Sequence, residues 1–165
     1  MAQDGDDMAA RAGAYDARRH PAQLVRRLHQ RGAQLFTQNV QRPGLSVTQF
    51  VALVTLLREG PMAQSRLGRA TSMDPSTTTL VVRKLARDGL IARLRDPGDR
   101  RTTMLSLTEA GRACAEAHVP ISLRAGDDLL APLSGIERVL FLELLRKLLE
   151  AEGPDSPDDA PPEDT

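Results

Sequence analysis

The sequence predicts a mostly α-helical fold with one small β-hairpin, and three observations carry that prediction. Apolar residues recur at helical spacing through most of residues 16–151. Hydroxyl or carboxylate caps and Gly or Pro stops punctuate that pattern. The period shifts to that of strands in one place, directly after Gly89. The 165 residues suffice for one domain with tails. One cysteine, Cys114, excludes an intrachain disulfide framework.

The first helix is expected over 16–40, with Pro21 in its first turn and Leu24, Val25, Leu28, Leu35, Phe36 and Val40 on one broad face. Arg42-Pro43-Gly44 ends it. Ser46 and Gln49 then form a capping box, and Phe50, Leu53, Val54 and Leu57 give the next helix its apolar side before Gly60-Pro61. A short helix over about 63–70 points Leu67 and Ala70 inward. After Thr71-Ser72-Met73, Asp74 as N-cap and Pro75 behind it start a helix that stops at Gly89.

Two helices joined by so short a turn are a helix-turn-helix. The second has Thr78, Val81, Val82 and Leu85 on its apolar side, leaving Ser76, Thr77, Thr79, Leu80, Arg83 and Arg87 outward. Small hydroxyls near a helix N-terminus permit close approach to bases and phosphates. The N–H groups there attract phosphate, and Arg can fork onto guanine. An amphipathic Thr-rich helix without a ligand would show the same periodicity, and the turn before it favours the DNA reading.

Leu90–Leu94 and Thr102–Leu107 read as strands around the turn Arg95-Asp96-Pro97-Gly98-Asp99-Arg100-Arg101. A hairpin in that place is a wing, and an Arg at its tip can enter a minor groove. Asp99 repels DNA, so its expected task is to orient a neighbouring guanidinium, that of Arg101. Thr108 caps a further helix, interrupted and bent at Pro120 and resuming to about Leu130. Ser134 opens the last helix, Ile136–Ala151, where nine of sixteen residues are large and apolar. That is more than one packing stripe requires. Burying each extra leucine is worth ~1.5–3 kcal/mol, so a second subunit is the expected cover and a homodimer follows.

The net charge of zero, 22 bases against 22 acids, conceals an uneven distribution. Three acids and no base fall in the first nine residues, and seven acids and no base in 150–165. Residues 10–149 keep all 22 bases against 12 acids, and 20 of the bases are Arg. A basic body between acidic ends points to a polyanion, here double-stranded DNA. Four aromatics, Tyr15, Phe36, Phe50 and Phe141, provide no base-stacking platform for single strands. No apolar run is long enough to span a membrane, and the acidic start has the wrong sign for a signal peptide, so a soluble cytoplasmic protein without membrane contact is expected.

Asp96-Pro97-x-Asp99-Arg100-Arg101 followed by Leu107-Thr108-x-x-Gly111, at this distance from a helix-turn-helix, resembles the MarR family of bacterial transcriptional regulators. The likeness spans about residues 20–150. It implies a winged helix-turn-helix lobe over 46–111 and dimerisation helices over 16–40 and 112–151; outside it, composition without an apolar stripe predicts a flexible segment 1–15 and a disordered tail 152–165. It also implies a palindromic operator, with the second helix of the motif in the major groove and the wing in the minor groove. The family's wing aspartate and arginine fall on Asp99 and Arg101, and its recognition contacts on Ser76, Thr77, Thr79, Leu80 and Arg83. Such proteins usually repress nearby genes and leave DNA when a small, often aromatic, anionic effector binds between the dimer helices and the DNA lobe.

Leu28-His29-Gln30-Arg31 with Phe36 beyond it is similar to the members that control degradation of aromatic or heteroaromatic acids. His29 shares the stripe of Val25, Phe36 and Val40, either as a buried imidazole bonded to backbone or as an effector contact. For an aromatic carboxylate the candidates are His29 with Arg26 or Arg31, and Phe36, Phe50 and Leu53 as apolar surroundings. Cys114, between two alanines, reads as a small core residue rather than a redox sensor. His20, His29 and His118 lack metal-ligand spacing, so neither metal nor cofactor is implied. Nothing resembles enzymatic machinery. The rival is a winged-helix protein-interaction module without specific DNA binding.

Overall fold

The computed structural model describes residues 16–40, 44–95 and 103–150. They fall into two compact units that divide between Leu129 and Leu130. In chain order the helices are α1 (Pro21–Asn39), α2 (Val47–Glu59), α3 (Gln64–Ala70), α4 (Pro75–Arg87), α5 (Glu109–Leu130) and α6 (Gly135–Glu150). The strands are β1 (Met62–Ala63), β2 (Ile91–Arg95) and β3 (Thr103–Leu107). A 3-10 turn, Ala17–Arg19, precedes α1.

Local chemistry sets most of these boundaries. Ser46 Oγ accepts from the Gln49 N–H while the Gln49 side chain accepts from the Ser46 N–H, the capping box expected for α2. Gly60 closes that helix at φ 79°. At α6, Glu137 accepts from both the Ser134 N–H and hydroxyl, at 2.8 and 2.7 Å. These bonds hold the Glu137 carboxyl below its ordinary value.

The sheet has three strands, in the order β1-β3-β2, where the sequence predicts a pair. Met62 and Ala63 pair antiparallel with Leu105 and Met104, and β2 pairs with β3 from Ile91↔Leu107 to Arg95↔Thr103. Two residues are too few for a period, which is why β1 leaves no trace in the sequence. The tip residues 96–102, and with them Asp99, Arg100 and Arg101, lie outside the described residues.

The core of the first unit gathers Leu53 from α2, Leu67 from α3, Val82 and Leu85 from α4, and Leu105 from β3, all fully buried. Only the C-terminal half of α1 joins it, through Leu35 and Phe36, whereas Leu24 and Val25 stay exposed. The uninterrupted course of α5 corrects the expected break at Pro120. A proline within a helix removes one N–H and the bond it would donate. Buried residues on both sides, Ala115 and His118 before it and Ala125 after it, anchor the two halves. In the second unit α6 buries none of its residues; Ile136 is 83% exposed and Leu149 71%.

One joint ties α5 to the end of α4. Gly89 (φ 69°) terminates α4, and the N–H groups of Gly89 and Leu90 return to the Ala86 and Leu85 carbonyls. The Thr108 N–H donates to the Leu90 carbonyl at 3.1 Å and its hydroxyl to the Gly89 carbonyl at 2.7 Å. The same hydroxyl accepts from the Gly111 N–H at 3.0 Å. A Cβ on Gly111 would lie 1.8 Å from the Leu90 carbonyl oxygen. Only glycine allows this approach, which gives the Leu-Thr-x-x-Gly motif its physical reason.

Gly111→Ala should therefore destabilise the fold by about 1–3 kcal/mol or more, since the obstacle is backbone and cannot swing aside. Urea unfolding measures this, and an unchanged midpoint would contradict the joint.

Candidate nucleic-acid interface

The turn between α3 and α4 is held from both ends. The Met73 N–H reaches the Gly68 carbonyl at 2.9 Å and the Ser72 N–H the Arg69 carbonyl at 3.1 Å, a closing motif that requires a left-handed residue between them. Ser72 fills that place at φ 51°, a conformation disfavoured for residues with a Cβ. A Cβ on Gly68 would stand 2.8 Å from Thr78 Oγ1 and 3.3 Å from the Met73 carbonyl, so a glycine lets α3 and α4 close together. The Gln64 amide also donates to Thr79 Oγ1 at 3.1 Å, a link between the two helices that the sequence does not announce.

These contacts fix the rotation of α4. Thr78, Val81, Val82 and Leu85 are buried. Ser76, Leu80, Arg83 and Arg87, at spacings of four, three and four, form one exposed stripe along the opposite side. Leu80 is 63% exposed, unusual for a leucine beside a well-filled core. Arg83 makes no ion pair among the described residues, whereas Arg87 lies 3.7 Å from the Asp88 carboxylate. Thr77 and Thr79, expected to point outward, are half-buried at the edge of the stripe.

The N-terminus of α4 departs from the open N–H groups expected there. Asp74 accepts from the Thr77 N–H at 2.8 Å, the Thr77 hydroxyl at 2.6 Å and the Ser76 hydroxyl at 2.5 Å. The Thr79 hydroxyl donates to the Pro75 carbonyl at 2.8 Å. All three hydroxyls thus donate within the helix start, Thr79 Oγ1 also accepts from Gln64, and Ser76 is the exposed one of the three. In this arrangement the Ser76 hydroxyl oxygen keeps the capacity to accept from a donor such as the amino group of cytosine or adenine. Ser76 first, and then Thr77, hold the Asp74 carboxyl well below the usual carboxylate range. The negative cap also suits the positive end of the helix dipole.

The residues expected around an effector are not brought together. Arg26, His29 and Arg31 are exposed on α1, and Arg26 Nε donates to Gln23 at 3.2 Å. This corrects the expectation of a buried His29: within the subunit, α1 is covered along its C-terminal half alone. Phe36, Phe50 and Leu53 instead belong to the packed core, with the two rings 5.1 Å apart.

The buried histidine is His118. Its Nδ1 lies 2.7 Å from the Cys114 carbonyl and 3.8 Å from Cys114 Sγ, and its buried Nε2 has no hydrogen-bond partner among the described residues. Leaving such an atom unsatisfied costs about 1–3 kcal/mol. The sequence gives no signal for this, because burial of one position on α5 depends on distant segments. Among the described residues no three His, Cys, Asp or Glu side chains could jointly hold a metal ion, and no helix is long and apolar enough to cross a membrane.

Comparison with known proteins places this geometry. Residues 45–103 match the model of the MarR family. The HTH-type transcriptional repressor NicR of Pseudomonas putida is 35% identical over 138 residues, covering 84% of this chain and 87% of NicR. Bordetella bronchiseptica BpsR, solved to explain how 6-hydroxynicotinic acid regulates its DNA binding, superposes with a TM-score of 0.78 at 33% identity. That match covers 84% of this chain and 99% of BpsR. The PcaV transcriptional regulator of Streptomyces coelicolor, solved with its natural ligand, gives 0.76 at 32% identity over 84% of this chain and 98% of PcaV.

The Asp74 cap makes a pH-dependent contribution whose sign follows from its depressed pKa. The contribution is complete above the ordinary value of 3.8 and is lost as pH falls below it. Urea midpoints measured from pH 5 downward should fall more steeply for the wild type than for Asp74→Asn, which keeps a cap acceptor without the charge. Parallel slopes would show that the carboxylate does not hold the helix start.

Proposed function

The chain belongs to the MarR family, and from that premise we propose that it is a homodimeric repressor that binds a palindromic operator and leaves it when a small aromatic acid binds. The observation that carries this reading is the stripe of Ser76, Leu80, Arg83 and Arg87, held outward by a buried opposite face. An α-helix fits the major groove, and a stripe led by a hydroxyl and ending in guanidinium groups can read base edges first and phosphates further on. Thr77 and Thr79 border that contact. Arg100 and Arg101 at the wing tip would serve the minor groove, with Asp99 aligning Arg101.

The exposed apolar surfaces of α1 and α6 would be covered in the dimer, which sets the two recognition helices at a fixed distance. The effector class follows the relatives: 6-hydroxynicotinic acid regulates DNA binding by BpsR, so a hydroxylated heteroaromatic or aromatic carboxylate is the proposed signal. Arg26, His29 and Arg31, exposed on α1, are available to its carboxylate. The protein would act in the cytoplasm, where its operator lies.

Fluorescence anisotropy on the DNA upstream of its own gene, across a salt series, tests the reading. Affinity should fall steeply with salt, by about 0.9 log units per log unit of salt for each phosphate neutralised. Random DNA should bind far more weakly. A flat salt response, or equal affinity for random DNA, would favour the protein-interaction module instead. Arg83→Ala should cost ~1–3 kcal/mol and relax preference at one base pair. A uniform loss over all sequences would make Arg83 a phosphate contact. Arg101→Ala should weaken binding without changing the sedimentation of the dimer; a monomeric variant would contradict its place in the wing.

A further inference from the structure

The buried face of α5 consists of Gly111, Cys114, Ala115, His118 and Ala125. Four of these are small, and His118 is the one side chain among them that carries a strong hydrogen-bonding group. The residue is buried, with 4% of its surface exposed. A carbonyl oxygen can only accept, so the 2.7 Å contact with Cys114 places a hydrogen on Nδ1. In the neutral tautomer with its hydrogen on Nδ1, Nε2 carries a lone pair, and this is the atom left without a partner among the described residues. Native proteins seldom leave such an atom unused, and the exceptions call for an explanation.

We propose that His118 Nε2 is the acceptor that recognises the effector's hydrogen-bond donor, a ring hydroxyl or ring N–H, so that His118 selects hydroxylated aromatic acids over their unsubstituted parents. This rests on the effector-responsive reading above and extends it to a residue. The donor would sit at His118, leaving the carboxylate to a cationic group elsewhere.

Because Nε2 is buried here, a ligand reaches it only when α5 shifts from its present packing. An atom unsatisfied in one conformation and satisfied in the other supplies the differential interaction by which a ligand favours the second. The shift has a path to the DNA-reading surface. Gly111 lies seven residues before His118, about 10 Å along the helix, and is the point at which α5 is fastened to Leu90 and Gly89 behind α4.

The test titrates the full-length dimer with 6-hydroxynicotinate and with nicotinate by calorimetry, and follows operator release by anisotropy. The first acid carries a hydroxyl or ring N–H that the second lacks. Wild type should bind the hydroxylated acid about three- to tenfold more tightly, the worth of one neutral hydrogen bond. In His118→Leu the ratio should fall to near one, while ligand-free operator affinity stays unchanged. His118→Gln, which still offers an acceptor, should retain part of the preference and serves if the leucine variant does not fold.

An undiminished preference in His118→Leu, a complete loss in a folded His118→Gln, or a wild type that favours nicotinate would overturn the assignment. In each of these cases the wild type still releases DNA, so the effector reading stands. If neither acid binds the wild type or displaces the operator, the effector reading fails for this class and the role of His118 falls with it.

Discussion

The rotation of α4 about its own axis is the constraint on which the rest of the molecule depends. Thr78, Val81, Val82 and Leu85 can all be buried in one orientation only. Two close approaches tighten it: Gly68 against Thr78 at the front of the helix, and Gly111 against Leu90 behind it. Interiors packed to crystal-like density resist small displacements, so the outward stripe inherits the rigidity of the core beneath it. The base-reading role proposed for that stripe needs such rigidity, because misplacing a guanidinium by an ångström or two forfeits a bidentate contact.

Electrostatics refine what packing sets. Arg58, through a 2.8 Å bond, and Arg66 at 3.6 Å hold Glu59 ionised and keep its carboxyl below the ordinary value. Lys84 is paired with Asp88 at 3.0 Å, and Arg87 lies near the same carboxylate. Arg83 has no such competitor among the described residues. Surface pairs of this kind contribute little stability. Their consequence is directional: they decide which cations are already engaged when a polyanion approaches. At the helix start, Asp74 occupies the N–H of Thr77 and the hydroxyls of Ser76 and Thr77.

The sequence is most legible where structure is written in neighbouring residues. The capping box of Ser46 and Gln49, the Asp74-Pro75 helix start and the Gly89 stop each depend on atoms a few positions apart, and each lies where the sequence places it. The inward and outward faces of α4 follow from period alone, apart from Thr77 and Thr79 at the border. The difficulties share one cause, which is distance along the chain. Periodicity shows that His29 and Phe36 share a face of α1, but not how far along the helix that face is covered. Nothing near Pro120 in sequence reveals that both halves of α5 are anchored. The strand pairing of Met62 with Leu105, the Gln64–Thr79 bond and the burial of His118 all join positions that only the fold brings together.

The central claim is that two copies of this surface, related by a two-fold axis, read one operator. Hydroxyl-radical footprinting of the full chain on the DNA upstream of its own gene measures this most directly. The account predicts two protected patches with mirrored sequence, their centres about 10 bp or one helical turn apart, because the dimer axis sets the separation of the α4 helices. One isolated patch, or even protection along the whole fragment, would contradict it.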